Sequence, residues 1–235
     1  MIIISSSIPK SASTLVFNYQ QDLLALASDD NVIAQEKFKK YSYQGFSARI
    51  DLKTFFAAIL TTIKYGDIVI KTHSEPTFLI KLLINLGLAK ASFCYRDPRD
   101  IILSAIDHGE RTRKGLDASG AYGNMTSIEG SIPEVKSWTS TWYKWKKFGK
   151  VFFIRYEDLV ENQLLYILKI NEYFDLKCEK EHIESIHIKH EKMKNKAWNF
   201  NKGVSERYKH EMKNSDLLLC NQEFQDILKD MNYSL

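Results

Sequence analysis

Residues 1–15 read Met1-Ile2-Ile3-Ile4-Ser5-Ser6-Ser7-Ile8-Pro9-Lys10-Ser11-Ala12-Ser13-Thr14-Leu15. The β-branched run Ile2 to Ile4 has the character of a buried strand. The small residues of Ser7-Ile8-Pro9-Lys10-Ser11-Ala12-Ser13-Thr14 suit a tight turn, and Leu15 to Ala27 has helical period. Strand, turn and helix in this order let successive backbone N–H groups point at one anion, while the helix N-terminus adds partial positive charge and Lys10 a full one. The same residues also fit a plain helix start in which Ser11 or Ser13 caps the first turn and Lys10 is solvated. A Walker-type ATP loop is disfavoured, because the lysine precedes the turn and no glycine pair flanks it.

Three more runs read as buried strands: Ile68 to Lys71, Ser92 to Tyr95 and Val151 to Tyr156. Stretches of helical period separate them, such as Leu52 to Tyr65 with Leu52, Phe55, Phe56, Ile59, Leu60 and Ile63 on one face. Alternating strands and helices predict an α/β fold with a central parallel sheet flanked by helices. Beyond the fourth strand the pattern is helical, with Leu164, Leu165, Leu168 and Phe174 in one segment and Leu217 to Leu228 as an amphipathic terminal helix. His108 to Ser131, which holds five glycines, and Asn195 to Tyr208 read as long loops able to wall a site. No repeat or linker divides residues 1–235, so a single domain is expected.

A hydrophobic content of 44% with only four prolines and ten glycines is that of a globular chain rather than a disordered or fibrous one. The net charge of +4 is modest and interleaved, so a local anion site is expected and no nucleic-acid-binding tail. No stretch approaches the roughly 18 apolar residues of a membrane span, and Met1 to Ser7 lacks the regions of a signal peptide. Cys94, Cys178 and Cys220 are far apart, without CxxC spacing, which argues against a disulfide framework or zinc site and for a reducing cytoplasm.

The third strand ends in Cys94-Tyr95-Arg96-Asp97-Pro98-Arg99-Asp100, before a helix over Ile101 to Ile106. Arg96 therefore sits at the carboxyl end of a strand, where open parallel sheets bind ligands, and Ser104 in the following helix is placed to share the same anion. Asp97-Pro98 and Asp100 are explained as turn and helix-start residues.

Five elements together resemble the PAPS-dependent sulfotransferases, where PAPS is 3′-phosphoadenosine 5′-phosphosulfate. Pro9-Lys10-Ser11-Ala12-Ser13-Thr14 is similar to that family's P-K-S-G-T-T turn for the 5′-phosphosulfate, with Ala12 in place of glycine. Arg96-Asp97-Pro98-Arg99-Asp100 with Ser104 resembles its 3′-phosphate element, and Lys71-Thr72-His73 its K-T-H. Tyr156-Glu157-Asp158-Leu159 matches its Y-E-D-L, and Phe200-Asn201-Lys202-Gly203 is similar to its F-R-K-G with asparagine for arginine. Leu15 stands where cytosolic members carry an adenine-contacting tryptophan.

The resemblance implies transfer of a sulfuryl group from PAPS to a hydroxyl or amine, releasing adenosine 3′,5′-bisphosphate, with no metal. It implies His73 as general base and Lys10 with Lys71 as the cations that stabilise the leaving phosphate. The donor would be held by Lys10, Ser11, Ala12, Ser13, Thr14, Arg96, Ser104, Tyr156, Asn201, Lys202 and Gly203. The acceptor is a small molecule or a glycan whose identity the sequence does not carry.

His108, next along from Ser104, is a second candidate base. His182, His187 and His190 fall in a polar helix and read as a solvated face rather than a metal site, while Trp138, Trp142 and Trp145 share one face as a core stripe does. Arg111, Arg113 and Lys114 in the glycine-rich stretch read as solvated, with attraction of an anionic acceptor as the alternative. Two other functions compete: a P-loop-like small-molecule kinase, which would need magnesium, and a nucleotide-binding homologue that has lost turnover.

Overall fold

The opening run folds as β1 (Ile2–Ser7), fully buried through its three serines, and leads by a turn into α1 (Ser13–Ala27). This is a computed structural model that describes residues 1–43, 45–117, 120–193 and 203–235. The chain continues through α2 (Asp29–Phe38), α3 (Leu52–Tyr65), β2 (Ile68–Thr72), α4 (Phe78–Asn85), β3 (Ala89–Tyr95), α5 (Pro98–Arg113), α6 (Ile128–Phe148) and β4 (Phe152–Arg155). After β4 it is helical: α7 (Tyr156–Glu161), α8 (Gln163–Phe174), α9 (Lys180–Met193), α10 (Tyr208–Glu211), α11 (Asn214–Glu223) and α12 (Gln225–Asp230). The α/β expectation holds.

All four strands are parallel, in the order β2-β1-β3-β4. Side chains alternate across the sheet, so Ile2 and Ile4 join one core with Ile68, Ile70, Phe93, Ile101 and Trp145, while Ile3 joins the other with Val69, Cys94, Val16 and Ile167. Both faces are covered, which is why β1 is buried at every residue rather than at alternate ones. The β2 edge is closed by a side chain: Gln35 of α2 donates to the Val69 carbonyl at 3.1 Å and accepts from the Val69 amide at 2.8 Å. Because β1 pairs with β2 on one side and β3 on the other, the connections diverge between β1 and β3. A crevice at their carboxyl ends is the topological switch point where ligands bind such sheets.

Four expectations are corrected. On α3 the apolar stripe is not the buried face: Phe55 is 6% exposed, but Leu52, Phe56, Leu60 and Ile63 are 57–79% exposed. Thr54, Ala57, Ala58 and Thr61 face inward instead, small residues that allow close approach to α2 and the sheet. The loop expected over His108 to Ser131 is shortened at both ends, since α5 runs to Arg113 and α6 starts at Ile128. Tyr156 opens α7 instead of ending β4, and the terminal helix breaks at Phe224 into α11 and α12. Most of the loop expected over residues 195–208 lies outside the described residues, and its last member, Tyr208, begins α10.

Candidate active site

Helices α2 to α6 each begin with a capping side chain, from Ser28, Asp51, Thr77, Asp97 and Ser127. α1 does not. Its N-cap is Ala12, no side chain makes a capping hydrogen bond and no acidic residue lies in the first turn, so the plain-cap reading of Ser11 and Ser13 falls. Lys10 and Ala12 both take the left-handed conformation, at φ 66° and 61°, which bends the turn into a concavity of N–H groups in front of the helix. Ala12 thus adopts the positive φ that a glycine would adopt without cost. The turn is anchored on β3, where the Ile8 amide donates to the Cys94 carbonyl at 3.0 Å and the Cys94 thiol donates to the Ser11 carbonyl. Ser11 is fully buried, and its Oγ has no hydrogen-bond partner among the described residues. An orphaned hydroxyl beside an uncapped helix start is the donor an incoming oxyanion would satisfy.

Residues at the end of β2 reach the same turn. Lys71 Nζ donates to Thr14 Oγ1 at 2.8 Å, and burial lowers its pKa to about 8. His73 Nδ1 lies 3.0 Å from the Ser7 carbonyl and 3.1 Å from Ser7 Oγ. Donation to the carbonyl fixes the proton on Nδ1 and leaves the lone pair on Nε2. Burial, with a smaller contribution from the Lys71 charge, pushes His73 down to about 4, against the opposing Ser7 bond, so the imidazole is neutral at pH 7.

At the end of β3, Arg96 is 4% exposed and held on several sides. Its guanidinium donates to Asp100 at 3.0 Å, to the Val204 carbonyl at 2.9 Å and to the Lys10 carbonyl at 3.5 Å, and it stacks 3.9 Å from the Tyr156 ring centre. Its Nε has no partner among the described residues. Asp100 also accepts from the Tyr208 amide at 3.0 Å, and burial raises its pKa. Ser104 lies on the same helix and is 4% exposed. Gly203, at φ 65°, directly precedes Val204, so its chain returns to Arg96, while Asn201 and Lys202 lie outside the described residues. Asp97 caps α5 and forks onto the fully buried Arg99, which also donates to Asn221 and the Ser234 carbonyl.

Lys10, Lys71, His73, Arg96 and Tyr156 therefore converge at the carboxyl ends of β1, β2, β3 and β4. Two groups were undervalued or missed. Lys10 Nζ lies 3.0 Å from His108 Nδ1, and His108 Nε2 pairs with Asp117, which sequence reasoning did not single out. His108 lies four residues after Ser104, one turn along the same helix, which was the available signal. Two solvated readings are also corrected: Arg113 donates to the Gly123 and Met125 carbonyls, and His190 bonds Asp22 at 2.8 Å. Among the described residues no group of three or more His, Cys, Asp or Glu is placed to hold a metal ion. Trp142 and Trp145 are core residues, 5% and 0% exposed.

With this geometry in view, three comparisons bear on the chain. A model of the sulfotransferase domain matches residues 60–230, a span that includes His73, Arg96, Ser104 and Tyr156. The chain belongs to the sulfotransferase domain family. A crystal structure of mouse sulfotransferase SULT7A1 complexed with PAP superposes with TM-score 0.67 at 16% identity, covering 97% of this chain and 84% of that one. Retinol dehydratase in a complex with retinol and PAP superposes at 0.63 and 16% identity, covering all of this chain and 82% of that one. No curated protein sequence matches. Among the described residues no helix is long and apolar enough to cross a membrane.

Proposed function

We propose that this protein is a PAPS-dependent sulfotransferase that sulfates a hydroxyl or amine of a small-molecule or glycan acceptor by in-line displacement. The observation that carries the reading is the pair of anion-seeking positions at the switch point. One is the uncapped α1 turn with Lys10 and the orphaned Ser11 hydroxyl, the other Arg96 with its orphaned Nε, followed by buried Ser104 on α5. A bisphosphorylated nucleotide has one anionic group for each. The donor supplies an activated sulfuryl group and a phosphate leaving group. Lys10 and Lys71 supply fixed cations to a leaving phosphate in a site that already excludes much water, where such charges count for more than in solution. His73, neutral and with its lone pair on Nε2, takes the acceptor proton. Tyr156, stacked on Arg96, is the adenine contact, and Gly203, next to the Val204 carbonyl that accepts from Arg96, belongs to the same 3′-phosphate site. The three cysteines are free, consistent with a cytoplasmic protein.

Calorimetry tests the reading without knowledge of the acceptor. Adenosine 3′,5′-bisphosphate is expected to bind, with chelator present, at least tenfold more tightly than adenosine 5′-monophosphate, because the second phosphate engages Arg96 through charge-assisted bonds. Equal affinities would remove the 3′-phosphate site. Binding of ATP or GTP that depends on magnesium would support a kinase instead.

A further inference from the structure

α5 and the segment after it form a receiver for the Lys10 ammonium. The segment is clamped to the helix: Thr112 Oγ1 donates to the Ala121 carbonyl at 2.8 Å, and Arg113 to the Gly123 and Met125 carbonyls at 2.9 and 3.0 Å. Gly109 makes the clamp possible, because a Cβ there would lie 2.2 Å from the Tyr122 carbonyl oxygen. The clamp carries two groups to Lys10. Asp117 pairs with His108 Nε2, and the Tyr122 ring stands 5.3 Å from Lys10 Nζ and edge-on to His108 at 4.9 Å. A carboxylate at Nε2 holds the proton there and leaves Nδ1 as an acceptor, 3.0 Å from the ammonium.

We propose that His108, oriented by Asp117, is a positioning residue for Lys10: its Nδ1 takes one ammonium hydrogen, tethering the side chain and keeping it protonated for the anionic donor. The inference rests on the sulfotransferase reading for what Lys10 then does. The tether matters because Lys10 stands in an unfavourable field. Burial, then Arg96 from the end of β3 and Arg111 from α5, push its pKa down to about 8, while Asp107 and Asp117 oppose them. His108 is itself lowered, first by burial and then by Lys10 and, less, Arg111, against Asp117, and so stays neutral where the tether is needed. A protonated imidazole has no lone pair to offer.

Three measurements decide it. In wild-type protein the ring ¹⁵N signals of His108 should show the neutral Nε2–H tautomer at pH 7, and an Nδ1–H or doubly protonated ring would overturn the proposal. Next, Lys10 is titrated by ¹³Cε signals of labelled lysines, assigned with Lys10→Gln. His108→Leu, which keeps the bulk and removes the acceptor, should lower the proton affinity of Lys10 about tenfold, as loss of one bond to a charged group predicts. His108→Asn, whose Oδ1 stands near the Nδ1 position, should leave it within about twofold. Equal effects of the two, or none, would overturn the proposal. In the third, adenosine 3′,5′-bisphosphate affinity should begin its alkaline decline about one pH unit earlier in His108→Leu than in wild type. If wild type fails to bind this nucleotide at any pH, the sulfotransferase reading fails, while the Lys10 titration still decides the tether.

Discussion

His73 shows how a single side chain combines a chemical role with a cost to the fold. The native state holds its pKa at about 4, against an ordinary 6.5, because the ring is buried and lies near the Lys71 charge. Between these values the unfolded chain binds a proton that the native state refuses. Stability therefore rises with pH across the window, and is lost as pH falls from 6.5 toward 4. Replacement by glutamine should flatten that part of the profile, as urea midpoints of the two proteins at pH 7, 5.5 and 4.5 would show. A variant that kept the wild-type slope would mean the ring is solvated. For the reaction, His73→Ala should leave adenosine 3′,5′-bisphosphate affinity nearly unchanged and slow transfer about 10²–10⁴-fold, the usual contribution of a positioned acid–base group. Near-full transfer would pass the role of base to a group other than His108, both of whose ring nitrogens are already engaged, by Lys10 and by Asp117.

Among the elements, β1 with its turn was legible because β-branched residues followed by small ones leave little else to fold into, and the switch point then places Lys10 beside Arg96. α3 was misread for a physical reason. Counting apolar side chains selects Leu52, Phe56, Leu60 and Ile63, but close packing against α2 and the sheet selects the small face, Ala57, Ala58 and Thr61. Gly109 and Gly130 fell within the stretch expected as a loop, yet Gly109 sits inside α5, where a carbonyl occupies the space of its side chain. Asp117 had no periodic context at all, being delivered by a loop whose path is set by contacts with α5. The α3 correction has a measurable consequence. Leu60→Lys and Ile63→Lys should each change stability by less than about 0.5 kcal/mol, as exposed substitutions do. Phe55→Ala, from the buried side, should cost about 3–5 kcal/mol. Chemical denaturation gives the ranking, and a large loss from the lysine variants at monomeric concentration would return that stripe to the core.

At the scale of the molecule, the crevice between β1 and β3 gathers cations that the fold does not fully neutralise. Arg96 is paired with Asp100 in the described structure, whereas Lys10 and Lys71 rest against a neutral imidazole and a hydroxyl. The C-terminal segment braces this arrangement from below: Tyr233 donates to Glu157 at 2.7 Å, and the Ser234 carbonyl accepts from Arg99 at 2.7 Å. Both lysines are held at about 8, burial being the leading cause, so near pH 8 each is partly deprotonated in the free protein. An anion docking against them favours the charged form and raises their pKa. Binding of adenosine 3′,5′-bisphosphate at pH 8 to 9 should then take up protons from the buffer, and its affinity should fall as pH rises through that range. Calorimetry in two buffers of different ionisation enthalpy reads the uptake directly. Lys10→Gln and Lys71→Gln should each remove part of it, since each deletes one of the groups that titrates. Identical heats in both buffers for the wild-type protein would mean that the nucleotide binds without touching either lysine, and the proposed leaving-group contacts would have to be abandoned.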